Sequence, residues 1–475
     1  MKRRDFIKTL SSATLMMLPS MWNNPVRAGN LVGSDDRLWF FINAQGGWDP
    51  CFGADPVAHE QYSFYTQDQI GIAGNLTFPP YLINGDQVTY HQTVSMNGEP
   101  TQDFFRKYEN DLVLVRGIDI ETNSHSVGQR TMWSGTSREG FPSIGGLISA
   151  YHQNAHETVL PISWLSTGGY DSAADLVPIT RIGQPLSLRD VSEPYLSPYA
   201  GASERQKYFH DETVDIILAH QRSRTQRLMQ QTNLPPHIKA TIEKVNRSRS
   251  AEEIFANLTT GLDTVTPGAD MSDPFANHRL IPKARIAMAG MMAGISKAAM
   301  LGFGGFDTHQ NHDNLNGHRM RTQEIFETVD YIVESMKAAG LWEKTNLVIG
   351  SDFARTRYNK NPDDPDFANK GKDHWPITAM MFMGADFEGG RVVGGTYVSD
   401  DTTKRGIMAH KVKVNGGVLE VAAMDDPDAF YLRLGDIHNT LRRIAGLDNH
   451  IFAQDFDLGS EFTGLELPIL RSTSI

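Results

Sequence analysis

Aspartate and histidine recur in this chain just after apolar runs, and together they are ligands that a divalent transition metal takes. Gly46-Gly47-Trp48-Asp49 follows the run Leu38 to Asn43. Its two glycines allow a tight turn that presents Asp49 at a sheet edge, either as a metal ligand or as a turn residue capping the next segment. Phe306-Asp307-Thr308-His309 follows a run ending near Phe303, with His312 and Asp313 close behind. A carboxylate and an imidazole two residues apart in extended backbone can point the same way, which makes Asp307 and His309 candidate metal ligands. Gly350-Ser351-Asp352-Phe353-Ala354-Arg355-Thr356 comes directly after Leu347-Val348-Ile349, and Lys372-Asp373-His374-Trp375 precedes the next run. These add Asp352 and His374 to the acid and imidazole set. Arg355 could pair with an anionic substrate through its fork of donors, or with a neighbouring carboxylate as an ordinary ion pair.

A further candidate stretch is Asn123 to Gly135, which has the look of a helix N-terminus following the run Asp111 to Gly117. Amides at such a terminus stabilise an anion, and a hydroxyl beside a metal ion can become a nucleophile. A hydroxyl or an imidazole in this stretch, such as Ser126 or His125, would face the strand ends. The competing reading makes Ser124 or Ser126 the helix cap and leaves His125 on the surface. Taken together, the strand-end residues imply a hydrolytic site with one or two metal ions.

The elements that must position these residues are read from hydrophobic pattern. Continuous apolar runs at Leu38 to Asn43, Asp111 to Gly117, Leu160 to Leu165, Ala299 to Phe303, Asn346 to Ile349 and Ala379 to Phe382 are predicted to be buried strands. Ile325, Val329, Ile332 and Met336 recur at helical spacing, so a helix is expected over residues 319–339, with Gly340 as its stop. A second is expected over residues 434–445, stopped by Gly446. Strands alternating with helices predict an α/β fold with a mostly parallel sheet flanked by helices, whose sites lie at the carboxyl ends of the strands. Residues 203–256 are polar and helical in pattern, and are expected to form an insertion or cap. Residues 402–425 are expected to hold a peripheral hairpin.

Composition narrows the function classes. The chain has 475 residues, a net charge of −12 and a single cysteine, Cys51. No intramolecular disulfide is possible, so stability must come from a core. At the N-terminus, Arg3-Arg4-Asp5-Phe6-Ile7-Lys8 has the twin-arginine order, followed by a short apolar stretch and the small-residue site Val26-Arg27-Ala28. Residues 1–28 are therefore expected to be an export signal and residues 29–475 the folded unit, periplasmic or secreted. Removing five basic residues and one acid takes the net charge to −16. An acidic surface without a basic block argues against nucleic-acid binding. No later segment reads as a transmembrane anchor, which needs roughly 20 apolar residues.

With these motifs in hand, the chain resembles the DUF1501 family, which is related to the alkaline phosphatase superfamily. The resemblance rests on Gly46 to Asp49, His125 to Gly135, Phe306 to His309, Ser351 to Thr356 and Asp373 to Trp375. It implies an alkaline phosphatase-like fold and an exported, metal-dependent hydrolase of phosphate or sulfate esters, with zinc or manganese as the ion. One ion would be held by Asp49, Asp352 and the nucleophile Ser126, and the other by Asp307, His309 and His374, with His125, at the position the family more often shows, as a ligand or transition-state donor instead. Phe353 stands where phosphatases commonly place a histidine, and Asp307 and His309 are two apart where phosphatases space the pair by four. A single-metal site is thus compatible with the resemblance. So is a non-catalytic binding or assembly protein, working with a co-secreted partner. The substrate expected for the enzyme is an anionic ester, small or polymeric.

Overall fold

The computed structural model describes residues 36–95, 97–155, 163–182, 208–231, 233–235, 238–239, 241–242, 273–459 and 467–471. The expected signal at residues 1–28 lies outside them.

Eight strands form the central sheet: β1 (Leu38–Gln45), β2 (Leu112–Asp119), β3 (Trp164–Ser166), β4 (Ile179–Arg181), β5 (Ala298–Gly304), β6 (Thr345–Ser351), β9 (Ile377–Gly384) and β10 (Arg391–Gly394). Between β6 and β9 the chain makes a two-stranded ribbon, β7 (Ala354–Tyr358) paired antiparallel with β8 (Lys372–Trp375). The sheet order is β4-β3-β5-β1-β6-β9-β2-β10. All pairings are parallel except those of β9, which runs against both β6 and β2. The sheet is therefore mostly parallel, as the alternating pattern predicts. The expected strand at Ala379 lies within β9, but in reverse sense, because an apolar run encodes burial and not direction.

Apolar residues on both faces of β1 explain the layering. Phe40 and Ile42 pack with Leu301 and Phe303 of β5 against helices α4 (Ile281–Met292) and α5 (Met320–Ala338). Trp39 and Phe41 point the other way, against α1 (His125–Ser134), α2 (Ile144–Ala155) and α6 (Leu434–Ile444). Burying each such side chain contributes about 1.5–3 kcal/mol. The α5 residues Ile325, Val329, Ile332 and Met336 are all fully buried, and Gly340 ends the turn with φ +68°.

Within the expected insertion, helix α3 (Asp211–Met229) is largely exposed, with Thr225 its buried residue. Val412–Asn415 and Val418–Val421 make the peripheral hairpin. Among the described residues, no helix is long and apolar enough to cross a membrane.

Candidate metal centre

The carboxyl ends of β1, β5 and β6 and the start of β9 lie along one edge of the sheet, since β9 is reversed. That edge gathers five segments carrying Gly46, Asp307, Asp352, His374 in β8 and, beyond β2, His125 at the start of α1. Close approach of backbones makes this possible. Gly46 and Gly47 both have positive φ (+111° and +83°), and a Cβ on Gly46 would lie 2.6 Å from the Asp307 amide nitrogen. Helix α1 seats against the β6 exit through Gly128, where a Cβ would lie 2.3 Å from the Asp352 carbonyl oxygen.

Asp307 is the centre of the cluster. Its Oδ1 accepts from Arg355 Nη2 at 2.8 Å and lies 3.0 Å from His309 Nε2 and 3.2 Å from His374 Nε2. Its Oδ2 is 3.6 Å from His125 Nε2. Burial pushes the Asp307 carboxyl up, but the hydrogen bond and charge of Arg355, with His374 and His309, hold it at about 2. The side chain is 47% exposed, so the cluster opens to solvent.

The other face of each imidazole is tied down. His125 Nδ1 is 2.8 Å from Asp352 Oδ2, His309 Nδ1 is 3.1 Å from Asp373 Oδ1, and His374 Nδ1 is 2.9 Å from the Asn123 carbonyl. All three partners are acceptors, which suits a proton on each Nδ1, and a ring in that neutral tautomer turns its Nε2 lone pair inward. The Nε2 atoms of His309 and His374 then face each other at 3.1 Å. Two lone pairs at that distance repel unless a proton or a metal ion lies between them. A ring fixed by an Nδ1–H to a carboxylate or a carbonyl is also how metal-bound histidines are held. His125, Asp307 and His374 each offer an atom within 4.8 Å of the others. The donor set thus fits one divalent metal ion.

Asp352 holds His125 in place. Its buried Oδ2 also accepts from the Gly46 amide at 3.1 Å and Gln129 Nε2 at 3.2 Å, while Oδ1 is buried without a partner. The hydrogen bond to Asp352 raises the pKa of His125.

Two expected site residues go elsewhere. Asp49 is fully buried and caps the turn that follows it, accepting from the Cys51 amide at 3.0 Å. Its Oδ2 accepts from Lys372 Nζ and from His312 Nε2, the latter at 2.9 Å. Thr308 links His312 to His318, whose Nε2 accepts from the Asp49 amide at 2.7 Å. A cation already occupies the place of an ion at Asp49, so the arrangement does not fit a second metal held by Asp49 and Asp352. Ser126 is exposed, and its hydroxyl lies 3.3 Å from Ser124 Oγ and outside the cluster.

Arg355 is buried and braces the loops. Nε donates to the Gly47 carbonyl at 2.7 Å, Nη1 to the Lys372 carbonyl at 3.1 Å, and Nη2 to the Gly46 carbonyl and to Asp307. The ion-pair reading, not the substrate-binding one, describes these contacts. Asn123 and Gln129 lay within the candidate stretch without a role assigned to them, and His318, which carries no motif of its own, was missed. Asp373 was in view only as the neighbour of His374.

A family model described as "Protein of unknown function (DUF1501)" matches residues 55–431. Curated proteins give no match. Among solved structures, the TAB5 alkaline phosphatase, as a mutant with bound magnesium, matches at 11% identity, covering 75% of this chain and 95% of that chain with a TM-score of 0.30. Phosphonate monoester hydrolase SpPMH from Silicibacter pomeroyi matches at 10% identity over 86% and 73% of the two chains, with a TM-score of 0.27. Ps i-CgsB in complex with k-i-k-neocarrahexaose matches at 9% identity over 90% and 74%, with a TM-score of 0.28. At these scores the likenesses carry no argument about activity.

Proposed function

Given that the chain belongs to the DUF1501 family, whose description assigns no activity, we propose from the geometry that it is a metal-dependent hydrolase of phosphate or sulfate esters. The observation that carries this reading is the inward convergence of the Nε2 atoms of His125, His309 and His374 on Asp307, with every Nδ1 already engaged. These four residues would hold one zinc or manganese ion. When bound, such an ion polarises an ester oxygen and makes water more acidic.

The chain's own groups do the rest. Asp307, exposed on one side, accepts a hydrogen bond from the attacking water and orients it. Water adds to phosphorus or sulfur, the bond to the alcohol oxygen breaks, and that oxygen takes up a proton. The first amides of α1 stabilise the negative charge of the ester. Asp352 and Asp373 fix the imidazoles as positioning residues, and Arg355 holds the Gly46–Gly47 turn against Asp307. Water takes the place expected for Ser126, because His125 is the α1 residue that faces the cluster.

Export through the twin-arginine route belongs to the same reading, as folding before export suits a protein that must acquire its ion first. A second reading is favoured by one observation: Lys372 occupies Asp49, which leaves a single-ion site. An exported metal-binding protein that assembles with a co-secreted partner, without turnover, would need no more than that. Turnover of an aryl phosphate and an aryl sulfate by zinc- or manganese-loaded protein separates the two. Hydrolysis abolished by His374→Ala supports the enzyme, and stoichiometric metal without hydrolysis of any ester in a panel supports the binding protein.

A further inference from the structure

The exit of β5 toward Asp307 is lined by cations at Gly302, Phe303 and Gly305. Lys283 Nζ of α4 donates to the Gly302 carbonyl at 3.4 Å. The Arg279 guanidinium stands 5.0 Å from the centre of the Phe303 ring. That of Arg321, in the first turn of α5, lies against Gly305, where a Cβ would be 2.5 Å from its Cζ. Gly304 and Gly305 are exposed, Gly304 pairs with Gln45, and Asp307 follows two residues after Gly305. The three cations therefore line the last residues of β5 and the turn that leads to Asp307.

Charge is unbalanced here. Glu324 neutralises Arg279, accepting from its Nε at 3.1 Å and from Nη2. Among the described residues, neither Lys283 nor Arg321 has a carboxylate within ion-pair distance. Arg321 Nε is buried without any partner. Burial and the like charge of Arg279 disfavour the charged forms of both Lys283 and Arg321, and the Glu324 carboxylate offsets this only in part at Arg321. Such a cluster stands out in a chain of net charge −12, and an oxyanion would relieve it through charge-assisted hydrogen bonds.

We propose that Lys283, Arg279 and Arg321 form a subsite for a second sulfate- or phosphate-type oxyanion, so that the preferred substrate is an ester bearing another such group on its β5 side. The substrate part of this inference rests on the hydrolase reading above; the anion subsite itself does not.

The test is calorimetric titration of inorganic sulfate and inorganic phosphate into metal-stripped protein at low ionic strength, so that a bound ion contributes nothing. Wild type should bind at least one of the two, and the tighter one names the substituent. Arg321→Gln with Lys283→Gln should weaken that binding about tenfold or more, the loss expected for charge-assisted hydrogen bonds. Arg321→Lys should retain most of it, and Lys413→Gln, on the distant hairpin, all of it. If the double variant unfolds, Arg321→Gln alone supplies the reading. In metal-loaded protein, the double variant should raise KM about tenfold for an ester with a second oxyanion and leave KM for a simple monoester unchanged. Absence of binding to wild type, or equal binding by the folded variants, overturns the subsite. Loss of the hydrolase reading would show separately, as protein that binds the anion but takes up no metal.

Discussion

An imidazole is a metal ligand only when its lone pair is aimed, and at this site the aiming is done by Asp352, Asp373 and the Asn123 carbonyl. Replacing Asp352 by asparagine should therefore weaken metal affinity about 10–100-fold without removing a ligand, as measured by competition with a chromogenic chelator. His125→Ala should abolish metal-dependent turnover while Ser126→Ala leaves it nearly intact; the reverse outcome in steady-state kinetics would return the nucleophile to Ser126. Asp49→Asn is expected to act differently, leaving Lys372 buried without its counter-charge. It should cost about 3–5 kcal/mol in chemical unfolding. The residues of the cluster were legible because Asp and His beside the ends of apolar runs are the types that bind metals. The destination of Asp49 was not, since its partner Lys372 is 323 residues away and only the folded chain pairs them. Its other reading, a cap for the following turn, was legible from the Gly-Gly-Trp-Asp order.

At the scale of elements, the site depends on how closely α1 and the β1 turn approach neighbouring backbone. Gly128→Ala would place a methyl group 2.3 Å from the Asp352 carbonyl oxygen, so α1 must shift, and with it His125 at its first position. The expected result is a stability loss of about 1–3 kcal/mol together with weaker metal binding, read by denaturant unfolding and metal titration on the same preparation. The strands that carry the site were visible in sequence because strands buried on both faces read as unbroken apolar runs. β4 and β10 escaped notice because most of their residues are only partly buried, which leaves no continuous run. The reversal of β9 escaped for another reason. Strand direction is fixed by the β7–β8 ribbon that returns the chain, and that same return brings His374 to the edge where Asp307 lies.

For the whole molecule, pH response follows from imidazoles buried in the core. Burial lowers His91 to about 4 and His438 to about 3, against an ordinary value near 6.5. Both are depressed, so their contribution to stability is present above about 6.5 and is lost as pH falls toward those values. Between pH 7 and pH 5 each should cost about 2 kcal/mol. His438→Gln, which can keep a donor to the Met132 carbonyl, should flatten its share of that slope in unfolding curves taken at several pH values. The mostly parallel α/β architecture was legible from alternating runs, whereas the interior charge network beneath the site was not. The N-terminal reading makes its own prediction: with Arg3→Lys and Arg4→Lys, the precursor should accumulate in the cytoplasm. The account's central claim is the metal centre, and the most direct test is elemental mass spectrometry of purified wild type beside Asp307→Ala, His374→Ala and Ser126→Ala. The account predicts an equimolar zinc or manganese ion in wild type and Ser126→Ala and its loss from the other two. A folded wild type that carries no ion, and takes up none from added zinc or manganese, would contradict it.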